Sequence, residues 1–129
     1  MSASRGNPEP PVSLFIGGAW TAGSAGTRAV IDPATGRPMG AVTLAGDAEI
    51  DAALAAAEAA FGDWRTKPAL ERGAILIRAA NLIRDRIERI ARLLTLEQGK
   101  TLAESRGELT RAVETFLWNG EEAPRIEGT

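Results

Sequence analysis

The sequence predicts an α+β segment, an amino-terminal antiparallel β-hairpin unit followed by three or four packed helices. Three observations carry this. Short β-favouring stretches, separated by glycine and proline turns, fill residues 13–45. From residue 46 the apolar residues recur at helical spacing instead. Gly62, Pro68, Gly99 and Pro124 then punctuate the remainder as helix boundaries would.

Residues 1–12 hold Pro8, Pro10 and Pro11 among Ser, Gly and Asn. They bury too little to offset their ordering entropy and read as a mobile tail. Ser13–Ile16 and Ala19–Thr21 flank Gly17-Gly18, the pair that a two-residue hairpin turn favours. Gly23–Gly26 is a second turn. Thr27–Ile31 is β-branched and stops at Asp32-Pro33-Ala34-Thr35-Gly36, where proline presets a turn and glycine closes it. Pro38–Leu44 returns. Two hairpins alone are marginal, so the apolar face of this 13–45 arm needs a partner.

A helical layer is expected over 46–125. Asp47 is the expected N-cap, with Glu49 and Asp51 in the first turn, where negative charge suits the helix dipole. Ile50, Leu54, Ala57 and Phe61 line one face. Gly62 is expected to end the helix, with a loop over Asp63–Lys67 and Pro68 in the first turn of the next. Leu76, Ala80, Ile83, Ile87, Ile90 and Leu94 follow at steps of four and three. Ile75, Ala79 and Leu82 widen that stripe, which marks a core-facing face more than a coiled-coil seam. A break near Asp85–Arg86 would divide the stretch into two helices. Gly99 is the next stop. A last helix runs from Leu102 to Glu122, burying Leu109, Ala112, Val113 and Phe116, and Pro124 ends it. Residues 126–129 read as a truncated end.

Composition restricts the chemistry. Of 129 residues, 44% are apolar and 25% charged, which suits a globular chain; the aromatics, at 5%, leave a core built largely from alanine. There is no cysteine and no histidine. A disulfide, a thiolate metal site, a thiol nucleophile and the usual general base are therefore all missing. No secretory signal and no run of membrane-spanning length stands out, so a cytoplasmic protein is expected. The net charge of −2 hides a basic stretch. Residues 65–92 carry Arg65, Lys67, Arg72, Arg78, Arg84, Arg86, Arg89 and Arg92 against Glu71, Asp85 and Glu88. Acids interleaved at helical spacing, without aromatics, favour a solvated helix face over a nucleic-acid surface.

Candidate motifs fare no better. Gly99-Lys100-Thr101 resembles the tail of a phosphate loop, but Leu94 stands where that loop needs glycine. No Gly-x-Gly-x-x-Gly occurs, so the dinucleotide fingerprint is absent. Glu104 with Glu108, and Glu121 with Glu122, are carboxylate pairs in polar surroundings. Ser24 and Ser105 have no histidine to activate them, and no motif sets Lys67 or Lys100 beside a serine.

Four stretches then occur in a telling order: Phe15-Ile16-Gly17-Gly18-Ala19-Trp20, Ile31-Asp32-Pro33-Ala34-Thr35-Gly36, Ala59-Ala60-Phe61-Gly62-Asp63-Trp64, and Leu94-Thr95-Leu96-Glu97-Gln98-Gly99-Lys100, extended by Leu102–Glu108. In this order the chain resembles the amino-terminal segment of the NAD(P)-dependent aldehyde dehydrogenase superfamily, a partial piece of its Rossmann-like fold. Glu97-Gln98-Gly99-Lys100 is similar to the succinate-semialdehyde dehydrogenase branch. The resemblance implies a β arm for subunit association and helices that support a cofactor domain. It implies a catalytic cysteine that attacks the aldehyde, hydride transfer to NAD or NADP, and release of the acid by glutamate-assisted water. Those catalytic and cofactor-binding residues have no counterpart here, so the chain alone is expected neither to bind the dinucleotide nor to oxidise an aldehyde. Its implied partners are the remainder of that fold and further copies in a homo-oligomer, with no nucleic acid and no membrane.

The resemblance also places a monovalent cation between backbone carbonyls at Val30 or Ile31 and the carboxylate of Glu97, against which Glu97 simply pairs locally or is solvated. Asp32 stands where the family usually has asparagine, and Pro124 where its helix usually continues. Two other readings stand beside this one. One is a small helical binding module using the basic face of residues 65–92 for an acidic partner or nucleic acid. The other is a free-standing truncated relative with a regulatory role.

Overall fold

Glycines at positive φ set the first corners of the chain. Gly17 and Gly18, at φ 59° and 84°, close a hairpin between β1 (Leu14–Ile16) and β2 (Ala19–Thr21), in which Phe15 faces Trp20 and Ile16 faces Ala19. The two rings lie 5.0 Å apart and tilted. Gly36, at φ 68°, closes a second antiparallel pair, β3 (Thr27–Asp32) with β4 (Arg37–Thr43). Its turn is held by Asp32, whose carboxylate accepts from the Ala34 amide at 2.8 Å and the Thr35 hydroxyl at 2.9 Å. The register shifts between Val30 and Ile31, where Val30 faces Gly40 and Ile31 faces Pro38. Proline, lacking an amide donor, is tolerated at such a bulge.

The structure is a computed structural model and describes residues 12–126. The tail expected over 1–12 falls outside that range except for Val12. That residue makes a parallel bridge to Val42, its amide donating to Ala41 and its carbonyl accepting from Thr43, both at 3.0 Å. Of the end expected at 126–129, only Ile126 is described. The chain divides into two units after Trp64.

In the first unit β1–β2 and β3–β4 form two separate ladders, and the unit continues into α1 (Asp47–Thr66). The helix starts one residue earlier than Asp47 capping would require. The Gly46 carbonyl accepts from the Ile50 amide, and the Gly46 amide donates to Glu49 Oε2 at 2.7 Å. Glu49 thus does the capping expected of Asp47. Gly62 does not end α1. Its φ is not positive, and a mid-helix glycine costs only about 1 kcal/mol against alanine. The helix runs through the expected loop to Thr66 and stops because Pro68 disfavours helical geometry at Lys67. No residue of α1 is buried; the expected face of Ile50, Leu54, Ala57 and Phe61 is open.

The second unit holds α2 (Ala69–Asp85), α3 (Ile87–Gln98), α4 (Leu102–Glu122) and a 3-10 turn over Ala123–Arg125. Pro68 takes the N-cap position of α2 and so stands just before its first turn. The break expected near Asp85–Arg86 is present at Arg86. Both α2 and α3 pack on α4, and the stripe from Leu76 to Leu94 is half-buried or buried throughout, although Leu82 is exposed.

The core consists of small residues: Ala80, Ala91, Val113 and Ala123, with Gly73 and Gly120. The two glycines meet where α2 crosses α4, and a Cβ at Gly73 would lie 2.5 Å from the Gly120 carbonyl oxygen. This crossing corrects the expected buried face of α4. Val113 is buried and Leu109 and Ala112 half-buried, but Phe116 is exposed, and Ser105 and Gly120 fill the interface instead. Phe116, one turn before Gly120, lines a shallow hollow with Leu76, Thr115 and Asn119. Among the described residues no helix is long and apolar enough to cross a membrane.

Candidate functional site

A polar cluster lies at the corner between α3 and α4, where the sequence motif around Glu97–Glu104 falls. Gly99 ends α3 in the left-handed conformation at φ 72°, its amide donating to the Thr95 carbonyl at 2.8 Å. Two residues later Thr101 caps α4. Its hydroxyl accepts from the Glu104 amide at 3.2 Å, and Glu104 Oε2 accepts from the Thr101 amide at 2.9 Å. This reciprocal capping box satisfies two helix-end donors at once. The Thr101 backbone and side-chain donors hold the Glu104 carboxyl below the ordinary carboxylate value.

Under the corner, the Ser105 hydroxyl is fully buried and lies 2.8 Å from that of Thr95. Lys100 is ion-paired to Glu108. Arg106 grips Glu88 on α3 with Nε at 2.8 Å and an Nη at 2.7 Å, a bidentate pair. That hydrogen-bonded guanidinium pulls the Glu88 carboxyl down and raises Arg106 in turn. These bonds decide what the corner can do. Ser105 has a hydroxyl for a neighbour rather than a base, and the ammonium of Lys100 is engaged. Two of the amides that a phosphate loop would offer, those of Gly99 and Thr101, are bound to Thr95 and Glu104. Of the four paired carboxylates, three have partners within the chain: Glu104 caps α4, Glu108 binds Lys100 and Glu122 binds Arg125, while Glu121 is exposed.

The first unit has a comparable knot. Glu49 Oε2 accepts from the Ser24 hydroxyl at 2.7 Å, the Ser24 amide at 3.3 Å and the Gly46 amide. The Ser24 hydroxyl, followed by the Gly46 amide, holds the Glu49 carboxyl below its ordinary value. Sequence reasoning places Glu49 in the first turn but gives no hint of Ser24, since nothing local links residues so far apart. Of the residues assigned to a cation, Val30 and Ile31 flank the β3 register shift in the first unit. Glu97 is exposed in the last turn of α3 in the second. Among the described residues no group of three or more acidic, His or Cys side chains could hold a metal.

In the basic stretch Lys67 pairs with Glu71, Arg84 donates to Asn81, and Glu88 is taken by Arg106. A hollow of about 390 Å³ on α4 is lined by Arg111, Glu114, Thr115, Trp118 and Asn119. Its Thr115 and Asn119 side chains donate to backbone carbonyls of their own helix.

Fold and polar network together define the class: an α+β segment whose polar side chains fix helix ends and corners. A model described as "Aldehyde dehydrogenase family" matches residues 20–129. The chain is 47% identical over 116 residues to a 4-(hydroxymethyl)benzenesulfonate dehydrogenase of Comamonas testosteroni, covering 89% of this chain and 24% of that protein. It is 44% identical over 115 residues to a 3-sulfolactaldehyde dehydrogenase of Pseudomonas putida, covering 88% of this chain and 24% of that protein. The crystal structure of a succinate-semialdehyde dehydrogenase from Burkholderia pseudomallei superposes with a TM-score of 0.86 at 41% identity, covering 96% of this chain and 27% of that one. The chain belongs to the aldehyde dehydrogenase family. It spans about a quarter of the length of the relatives it matches.

Proposed function

We propose that this chain is the amino-terminal scaffolding segment of an NAD(P)-dependent aldehyde dehydrogenase. Its 13–45 arm serves subunit association in a homo-oligomer, and its helices carry the cofactor domain. The observation that carries this reading is the overlay on the Burkholderia enzyme across 96% of the chain. We further propose a substrate class for the whole enzyme: aldehydes bearing a sulfonate or carboxylate. Each of the three relatives is named for a compound with such an anionic group.

The segment itself supplies support, with no reacting group. Its residues do not fit a dinucleotide. The glycine fingerprint is missing, and two of the four described helix starts, those of α1 and α4, are taken by the chain's own carboxylates, Glu49 and Glu104. For the cation role of Val30, Ile31 and Glu97, carbonyl and carboxylate oxygens are suitable donors. A melting temperature that rises with potassium or sodium at constant ionic strength would support it.

The test is a chimera in which this chain replaces the matching quarter of the Comamonas testosteroni relative. Oxidation of succinate semialdehyde and of a sulfonated benzaldehyde is measured with NAD and with NADP. The chimera turns over and the 129-residue chain alone does not. Turnover by the chain alone, or a chimera that folds without turning over, would overturn the scaffolding reading. The substrate class is tested on the full-length protein that carries this segment, where preference for unsubstituted benzaldehyde over succinate semialdehyde would overturn it.

A further inference from the structure

We infer that Asn119-Gly120 is a latent self-modification site, held shut while α4 is docked on α2. When that end of α4 opens, Asn119 converts to aspartate or isoaspartate without an enzyme. This is the one Asn-Gly step in the sequence. The other asparagines precede Pro8, whose nitrogen carries no proton, and Leu82, whose side chain crowds its own amide. Glycine leaves the attacking amide unhindered and the backbone free to bend around it.

The chemistry needs only water. The Gly120 amide nitrogen, giving up its proton to solvent, attacks Asn119 Cγ. A nitrogen–carbon bond forms, the bond from Cγ to the side-chain nitrogen breaks, and ammonia leaves. Water then opens the five-membered succinimide at either of its two carbonyls. One product is aspartate; the other is isoaspartate, whose backbone is longer by a methylene. No oxidant or reductant takes part.

The fold holds every reacting group back. Gly120 lies within α4, so its amide is engaged by the helix, and helical geometry keeps it away from Asn119 Cγ. The side-chain nitrogen that would leave donates to the Thr115 carbonyl at 2.8 Å. Asn119 is exposed to water, whereas Gly120 is buried. A Cβ at Gly120 would lie 2.7 Å from Ile77 Cγ1 and 3.0 Å from the Gly73 carbonyl oxygen. The backbone therefore cannot bend into the ring until α4 leaves α2. The same tightness makes the change one-way. An extra backbone methylene has no room at this crossing. Aspartate would add negative charge beside Glu121 and Glu122, at the helix end where the dipole disfavours it.

The test holds the 129-residue chain at mildly alkaline pH in buffer and in urea, and follows each asparagine by peptide mass spectrometry. Asn119 converts at least about tenfold more slowly in buffer than in urea, as expected for a site reached by local unfolding. Asn81 stays intact in both. Gly73→Ala, which forces the crossing apart, speeds conversion in buffer, and Gly62→Ala, in the first unit, does not. The converted chain, separated by its added charge, has a lower urea midpoint than the unconverted one. Conversion in urea no faster than at Asn81 would overturn the site. Equal rates in buffer and urea, or a Gly73→Ala chain that converts at the parent's rate, would overturn the guard. An unchanged midpoint would overturn the one-way character.

Discussion

α1 and α4 are helices of nearly equal length with opposite fates. α4 buries Ser105, Val113 and Gly120, while α1 buries nothing. Mean hydropathy alone suggests the reverse, since its many alanines make α1 the more apolar helix. The difference lies in what each helix meets. α4 lies under α2 and α3, and its interface is built from residues small enough to let backbones approach. α1 leaves Ile50, Leu54, Phe61 and Trp64 exposed. An apolar stripe in a sequence therefore reports that a face needs cover, and small residues report where cover is close.

Glycine substitutions test this contrast most sharply. At Gly73→Ala the added methyl meets the Gly120 carbonyl oxygen at 2.5 Å and the Ala123 Cβ at 2.9 Å, so α2 and α4 must separate. The expected loss is about 1–3 kcal/mol, read as a lowered urea midpoint. Unchanged stability would show that the crossing is loose. Next in size, Thr101→Ala removes the cap of α4 and should cost about 1 kcal/mol by the same measurement.

Gly62→Ala in α1 has the opposite sign. Nothing lies within 4 Å of the new methyl and φ is helical, so stability should rise by about 0.5–1 kcal/mol. A loss there would mean that α1 is more crowded than its exposure indicates. The smallest effect concerns pH. Glu49, Glu88 and Glu104 all have folded-state values below the ordinary 4.5. Their contribution is complete above that pH and is lost as pH falls through the lowered values. Glu49→Gln should flatten the acid limb for the first unit, Glu104→Gln for the second. An unaltered limb in either variant would remove that carboxylate from the account.

Much of the fold is legible in the sequence because its determinants are local. Gly17-Gly18, Gly36 and Gly99 hold the positive φ angles their turns require, and the last helix has the expected bounds, Leu102–Glu122, although sequence reasoning does not single out the Thr101 cap that starts it. Local reasoning fails where the deciding contact is distant or the rule is weak. Gly62 lacks the power to stop a helix that only Pro68 exercises. Periodicity places Phe116 inside, though the contact between α2 and α4 is centred on Gly73 and Gly120 and leaves Phe116 at the edge of a hollow. The Glu49 knot depends on Ser24, which no pattern in the helix announces. For the site, four ordered stretches suffice to name the family. They do not show that Lys100, Glu104 and Ser105 are all engaged in holding a corner.

The Gly73–Gly120 crossing has a consequence for synthesis. The chain leaves the ribosome amino-terminus first, so α2 emerges long before the helix that covers it. Until α4 follows, Gly73, Ile77 and Ala80 have no surface to close against. The second unit therefore depends on a late contact between distant segments, the kind that slows folding and leaves apolar surface open to capture by chaperones. A nascent chain stalled before Gly120 would leave this face of α2 open, and one carrying all of α4 outside the ribosome would close it.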